Sequence, residues 1–90
     1  MSYMSEKVER VLAALQHEKV RCTYGALADY IGANPRHIST YLSPKRPEAS
    51  WVVNKKTGLP TGYEPFQMHP DLQAQEKVID QGKGIEQLLA

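Results

Sequence analysis

The sequence predicts a small α+β domain, mostly α, and three observations carry that expectation. At 90 residues, with 41% hydrophobic and 23% charged side chains, the chain holds enough apolar material for one core and not for two, so residues 1–90 read as a single domain. Apolar positions recur at helical spacing as far as Leu42, and a β-branched and aromatic run over residues 50–54 then breaks that period. A chain of this size buries about 60 to 65% of its unfolded surface, which leaves little room for a deep private pocket and puts function on the outside.

Ser5 is the expected N-cap of a first helix over about 5–17, whose Val8, Val11, Leu12 and Leu15 fall at i, i+3, i+4 and i+7. His17, Glu18 and Lys19 interrupt that stripe. Residues 20–23 then read as a short extended connector ending in a second cap, Thr23. A second helix follows from Tyr24 with Leu27, Ala28 and Ile31 inward, and Gly32 stops it by taking the left-handed conformation that a Cβ resists. Asn34-Pro35 is a cap with proline at the first helical position, so a third helix restarts over about 35–43, ending near Pro44, with Ile38 and Leu42 inward.

Two helices joined by a short glycine-containing turn make a helix-turn-helix, whose second helix is free to enter a groove. Residues 50–54 are then one arm of a hairpin, Lys55-Lys56-Thr57-Gly58 its turn, and residues 59–63 its returning arm, where Pro60 favours an edge position. The sum is a winged helix-turn-helix with a small hairpin wing. Short C-terminal helices are expected from His69-Pro70-Asp71-Leu72 and over residues 84–89, the second closing the core with Ile85, Leu88 and Leu89.

Composition excludes several classes of function. Charged residues interrupt every long apolar run, so no segment spans about 30 Å of hydrocarbon and no membrane role is expected. Residues 1–7 lack the apolar stretch of a secretory leader, which predicts a cytoplasmic protein. Cys22 stands alone, and His17, His37 and His69 have no metal-ligand spacing, so neither disulfide, metal nor cofactor is expected. The formal net charge of +1 hides a gradient. Residues 34–63 set Arg36, Lys45, Arg46, Lys55 and Lys56 against Glu48 alone, a local balance of +4. Residues 64–90 set Lys77 and Lys83 against Glu64, Asp71, Glu76, Asp80 and Glu86, a balance of −3. One basic and one acidic face follow from that division.

Thr23-Tyr24-Gly25-Ala26-Leu27-Ala28, Ile31-Gly32, Arg36-His37-Ile38, Leu42, Val52-Val53-Asn54 and Gly58 together resemble the DNA-binding domain of the O6-alkylguanine-DNA alkyltransferases and alkyltransferase-like proteins, over about residues 8 to 63. The resemblance implies that Tyr24 presses on the phosphate of a rotated nucleotide and that Arg36 fills the space a flipped base leaves. The departures are informative too. Where the alkyltransferases carry Pro-Cys-His-Arg before the Val-Val strand, this chain reads Glu48-Ala49-Ser50-Trp51. Trp51 also lies two places beyond the position where the alkyltransferase-like proteins keep a tryptophan. Ala49 supplies no nucleophile and Cys22 lies far from that motif, so the chain is expected not to be an enzyme.

The candidate DNA-binding residues are Tyr24, Arg36, His37, Ser39, Thr40, Lys45, Arg46, Lys55 and Lys56. Arg36 near a helix N-terminus opposes the macrodipole, which points to a reason outside helix stability. Ser39 and Thr40 are donors for phosphate or base edges, and the lysines and Arg46 form a phosphate-tracking patch. Tyr30, Tyr41 and Trp51 are expected in the core, and residues 57–63 to shape the wing. The expected function is non-catalytic binding of duplex DNA. The alternative is a protein-interaction or adaptor domain that keeps the scaffold and engages a protein partner, in keeping with the acidic C-terminal third.

Overall fold

The computed structural model describes residues 3–42, 45–72 and 76–90. Helix α1 spans Tyr3–Glu18, and its Val8, Val11, Leu12 and Leu15 are all buried, so the predicted stripe faces the core. The helix starts ahead of Ser5, which therefore lies within its first turn; a cap needs extended backbone, so Ser5 does not fill that role. Strand β1 covers Arg21–Thr23 and leads straight into helix α2, Tyr24–Ile31. Both ends of α2 follow the sequence. The Thr23 hydroxyl accepts from the Ala26 N–H at 3.0 Å, and Gly32, at φ 75° and ψ 29°, donates to the Ala28 carbonyl.

The third helix begins as a 3-10 turn over Pro35–His37 and becomes α3 over Ile38–Leu42. Asn34 caps it as expected, its Oδ1 accepting from the Arg36 N–H at 2.9 Å. A tightened first turn of this kind is common where helices start. Ile38 and Leu42 face inward, while the predicted end near Pro44 lies outside the described residues.

The hairpin does not form. Strand β2, Val52–Val53, pairs in parallel with β1, Cys22 opposite Val52 and Thr23 opposite Val53. Strand β3, Val78–Ile79, pairs in parallel along the other edge of β1, giving the order β2-β1-β3. Val52 and Val53 are both fully buried, the pattern of a parallel strand covered on two faces rather than of a wing with one face in water. The turn after them closes with two backbone bonds, Asn54 N–H to the Leu59 carbonyl at 2.9 Å and Gly58 N–H to the Asn54 carbonyl at 2.8 Å. Beyond it Pro60 is buried without an N–H to give and Gly62 bends the chain at φ 75°, so residues 59–63 hold no strand.

The molecule is thus an α+β domain, about half helical, around a three-stranded parallel sheet. Trp51 is wholly buried with the His69 ring 4.9 Å from its own, and Tyr30 and Tyr41 pack half-buried on the core. Instead of a helix, residues 69–72 make one turn, with the Leu72 N–H donating to the His69 carbonyl at 3.1 Å; residues 73–75 lie outside the described residues. Helix α4, Gly82–Leu89, packs chiefly on α2 and buries Ile85. No helix among the described residues is long and apolar enough to cross a membrane.

Candidate nucleic-acid interface

With Ile38 and Leu42 turned inward, α3 shows Ser39 and Thr40 to solvent, and the turn before it exposes Arg36 and His37. The side chains of these four make no hydrogen bond or ion pair among the described residues. Arg36 therefore has no partner there to offset its place at the positive end of a helix.

Tyr24, Ser39, Leu42, Lys45, Thr61 and Tyr63 line a depression of about 150 Å³. Two bonds from α2 and the segment after α3 frame it. The Thr61 N–H donates to the Tyr24 hydroxyl at 3.0 Å, and Lys45 Nζ donates to the Gly62 carbonyl at 2.8 Å. The phenol of Tyr24 accepts in that bond and keeps its own proton to give. Lys45 remains exposed and forms no ion pair among the described residues, so a full charge sits at the rim. Burial pushes the Tyr63 phenol above its ordinary value, which keeps it a neutral donor.

Three predicted residues, Tyr24, Ser39 and Lys45, thus meet around one concavity. Thr61 and Tyr63 join them without having been anticipated. Their segment is dense in turn formers, and such a signal tells where a chain bends but not what it bends toward.

Arg46 stands apart from the other predicted cations. It is half-buried and donates through both terminal nitrogens to the Glu9 carboxylate, at 3.2 and 3.0 Å. That bidentate contact holds its acidity still weaker than usual and ties the segment after α3 to α1, so its charge is matched within the fold. Lys55 and Lys56 are exposed on the 54–59 turn, where the Asn54 side chain accepts from the Lys56 N–H at 2.8 Å. Arg21 anchors this turn from beneath, donating to the Gly58 carbonyl at 2.8 Å and reaching the Glu76 carbonyl at 3.5 Å. An arginine in a connector gives no sign in sequence that it will be buried. No hydrogen bond or ion pair among the described residues links Lys55 or Lys56 to α3.

Cys22 is poorly placed to act as a nucleophile. Cys22 lies in the sheet, fully buried, and desolvation pushes its thiol up to about 12. A thiol held neutral at physiological pH does not attack an alkyl group. Ala49, at the position that the alkyltransferase resemblance assigns to a cysteine, is buried. No group of three or more His, Cys, Asp or Glu side chains among the described residues is placed to hold a metal ion. No family description, curated relative or solved structure matches this chain.

Proposed function

We propose that this chain binds duplex DNA without catalysing a reaction, presenting α3 and the Pro35–His37 turn to a groove and the 54–58 turn to the backbone. In this reading the two helices α2 and α3 act as a helix-turn-helix, with a basic turn standing where a winged helix carries its hairpin. Arg36 is the groove residue. His37, Ser39 and Thr40 supply donors beside it, and the Tyr24 hydroxyl donates a hydrogen bond to a phosphate.

The observation that carries the proposal is the distribution of unmatched cations. Between residues 34 and 63, Arg46 is ion-paired, while Arg36, Lys45, Lys55 and Lys56 are exposed and form no ion pair among the described residues. Exposed cations without an internal partner gain most from a polyanion, which releases its own counterions in exchange.

The test is a titration of a labelled duplex at several salt concentrations with the unaltered chain, Arg36→Ala and the double variant Lys55→Ala/Lys56→Ala. Arg36→Ala is expected to cost about 1–3 kcal/mol of binding and the double variant to lower the slope of log affinity against log salt by about two. Absence of any duplex binding at low ionic strength, or variants that bind as the unaltered chain does, would sink the proposal.

A further inference from the structure

The depression of about 150 Å³ lined by Tyr24, Ser39, Leu42, Lys45, Thr61 and Tyr63 gathers hydrogen-bond donors, and no carboxylate among the described residues forms its wall. Each phenol oxygen already accepts a backbone N–H, Tyr24 that of Thr61 at 3.0 Å and Tyr63 that of Arg46. A hydroxyl engaged in that way has its own proton left to give. Lys45 Nζ uses one of its three protons on the Gly62 carbonyl at 2.8 Å and keeps two. The Ser39 hydroxyl is exposed on α3 and makes no hydrogen bond among the described residues.

Donors with an ammonium beside them suit a ligand that only accepts and is negatively charged. The carboxylates of the neighbourhood are engaged elsewhere. Glu64, next to Tyr63 in the chain, accepts from the Gln67 N–H within its own turn, and Glu9 is held by Arg46. Glu48 acts on the Tyr63 phenol through space, less strongly than the Arg46 charge does. Oxyanions differ in what they offer such a recess. A phosphodiester within a strand has two free oxygens, a single charge and a sugar on either side. A phosphate monoester has three free oxygens, a charge of about −1.5 to −2 at pH 7, and an open end that enters a concavity. Spare protons on Tyr24, Ser39, Lys45 and Tyr63 match the second better than the first.

We infer that this depression seats one phosphate monoester group, with Lys45 Nζ supplying charge and Tyr24, Ser39 and Tyr63 supplying hydroxyl donors. The inference goes beyond the duplex reading and does not depend on it. A free monoester and the 5′-phosphate at a DNA end offer the same chemistry.

The test is a titration of the isotopically labelled full chain with inorganic phosphate at neutral pH and fixed ionic strength, followed by amide chemical shifts. Saturable shifts are expected at Ser39, Lys45, Thr61 and Gly62. Lys45→Met and Ser39→Ala are each expected to weaken binding about tenfold. Ser39 makes no bond within the described fold, so its variant should keep the melting temperature of the unaltered chain. Lys83→Ala, which removes an exposed charge on α4, should take phosphate as the unaltered chain does. Shifts that do not saturate, or affinities unchanged in both Lys45→Met and Ser39→Ala, overturn the inference. Competing duplexes then name the source. Displacement of phosphate by a 5′-phosphorylated duplex but not by its 5′-hydroxyl counterpart assigns the group to a DNA end, and displacement by neither assigns it to a free monoester. Equal displacement by both makes the depression an ordinary backbone contact and overturns the monoester assignment. A chain that takes phosphate but binds no duplex at low salt loses the DNA reading and keeps this one.

Discussion

Arg36 and Arg46 carry the same charge, and their surroundings put it to opposite uses. Arg46 meets Glu9, 37 residues away in sequence, through two nitrogens, whereas Arg36 lies exposed on the turn before α3. No pattern local to either arginine announces that difference, because the partner is brought in by the packing of α1. Cys22 is another residue defined by its surroundings. Its thiol, at about 12 in the fold against an ordinary 9.0, favours the neutral form when folded. The stability this contributes is whole below pH 9.0 and drains as pH climbs toward 12. The melting temperature should therefore fall across that window, and less steeply in Cys22→Ala. Tyr63 is also raised and remains in both proteins, so the informative quantity is the difference between their slopes. Identical slopes would show that the thiol is not held neutral by burial.

The elements divide by the range of the interactions that make them. Helices α1 and α2, the Thr23 cap and the Gly32 stop are legible in sequence because a helical stripe and its caps are settled by residues within about four positions of one another. The strands are not. A two-residue strand shows no period, and whether Val52-Val53 folds back on its own turn or joins β1 depends on covering both of its faces. Gly82, at the start of α4, has a packing reason of the same long range. A Cβ on Gly82 would stand 2.5 Å from Asp29 Oδ2 and 2.9 Å from the Tyr30 backbone nitrogen, and the Gly82 N–H already donates to that carboxylate at 3.1 Å. Gly82 thus serves the seating of α4 on α2, whereas a Cβ on Gly84 would meet Ile79 of β3 at 2.6 Å. Gly82→Ala should cost about 1–3 kcal/mol by overpacking, read as a lowered midpoint in urea unfolding with little change in slope. A midpoint equal to that of the unaltered chain would mean α4 sits more loosely than this.

The whole molecule measures 29 × 25 × 23 Å, and with exposed charges screened beyond about 8–10 Å one ion pair alters the field of its own part of the surface. Glu9 is half-exposed, so replacing it with Gln should cost at most about 1 kcal/mol of stability. It would also release Arg46 and remove one negative charge, so under the proposed DNA-binding function Glu9→Gln should bind duplex more tightly, with a salt slope steeper by about one. An unchanged slope would place Arg46 away from the DNA. The candidate site follows the same division as the fold. The exposure of Arg36, Ser39 and Thr40 was legible because Ile38 and Leu42 set the inward face of α3, and the basic middle third could be counted directly. The depression joining Tyr24, Ser39 and Lys45 to Thr61 and Tyr63, the capture of Arg46, the anchoring of the basic turn by Arg21 and the parallel sheet were decided by tertiary structure. Residue order specifies interactions between near neighbours, whereas these contacts join segments tens of positions apart, and the shared core that brings them together exists only in the folded chain.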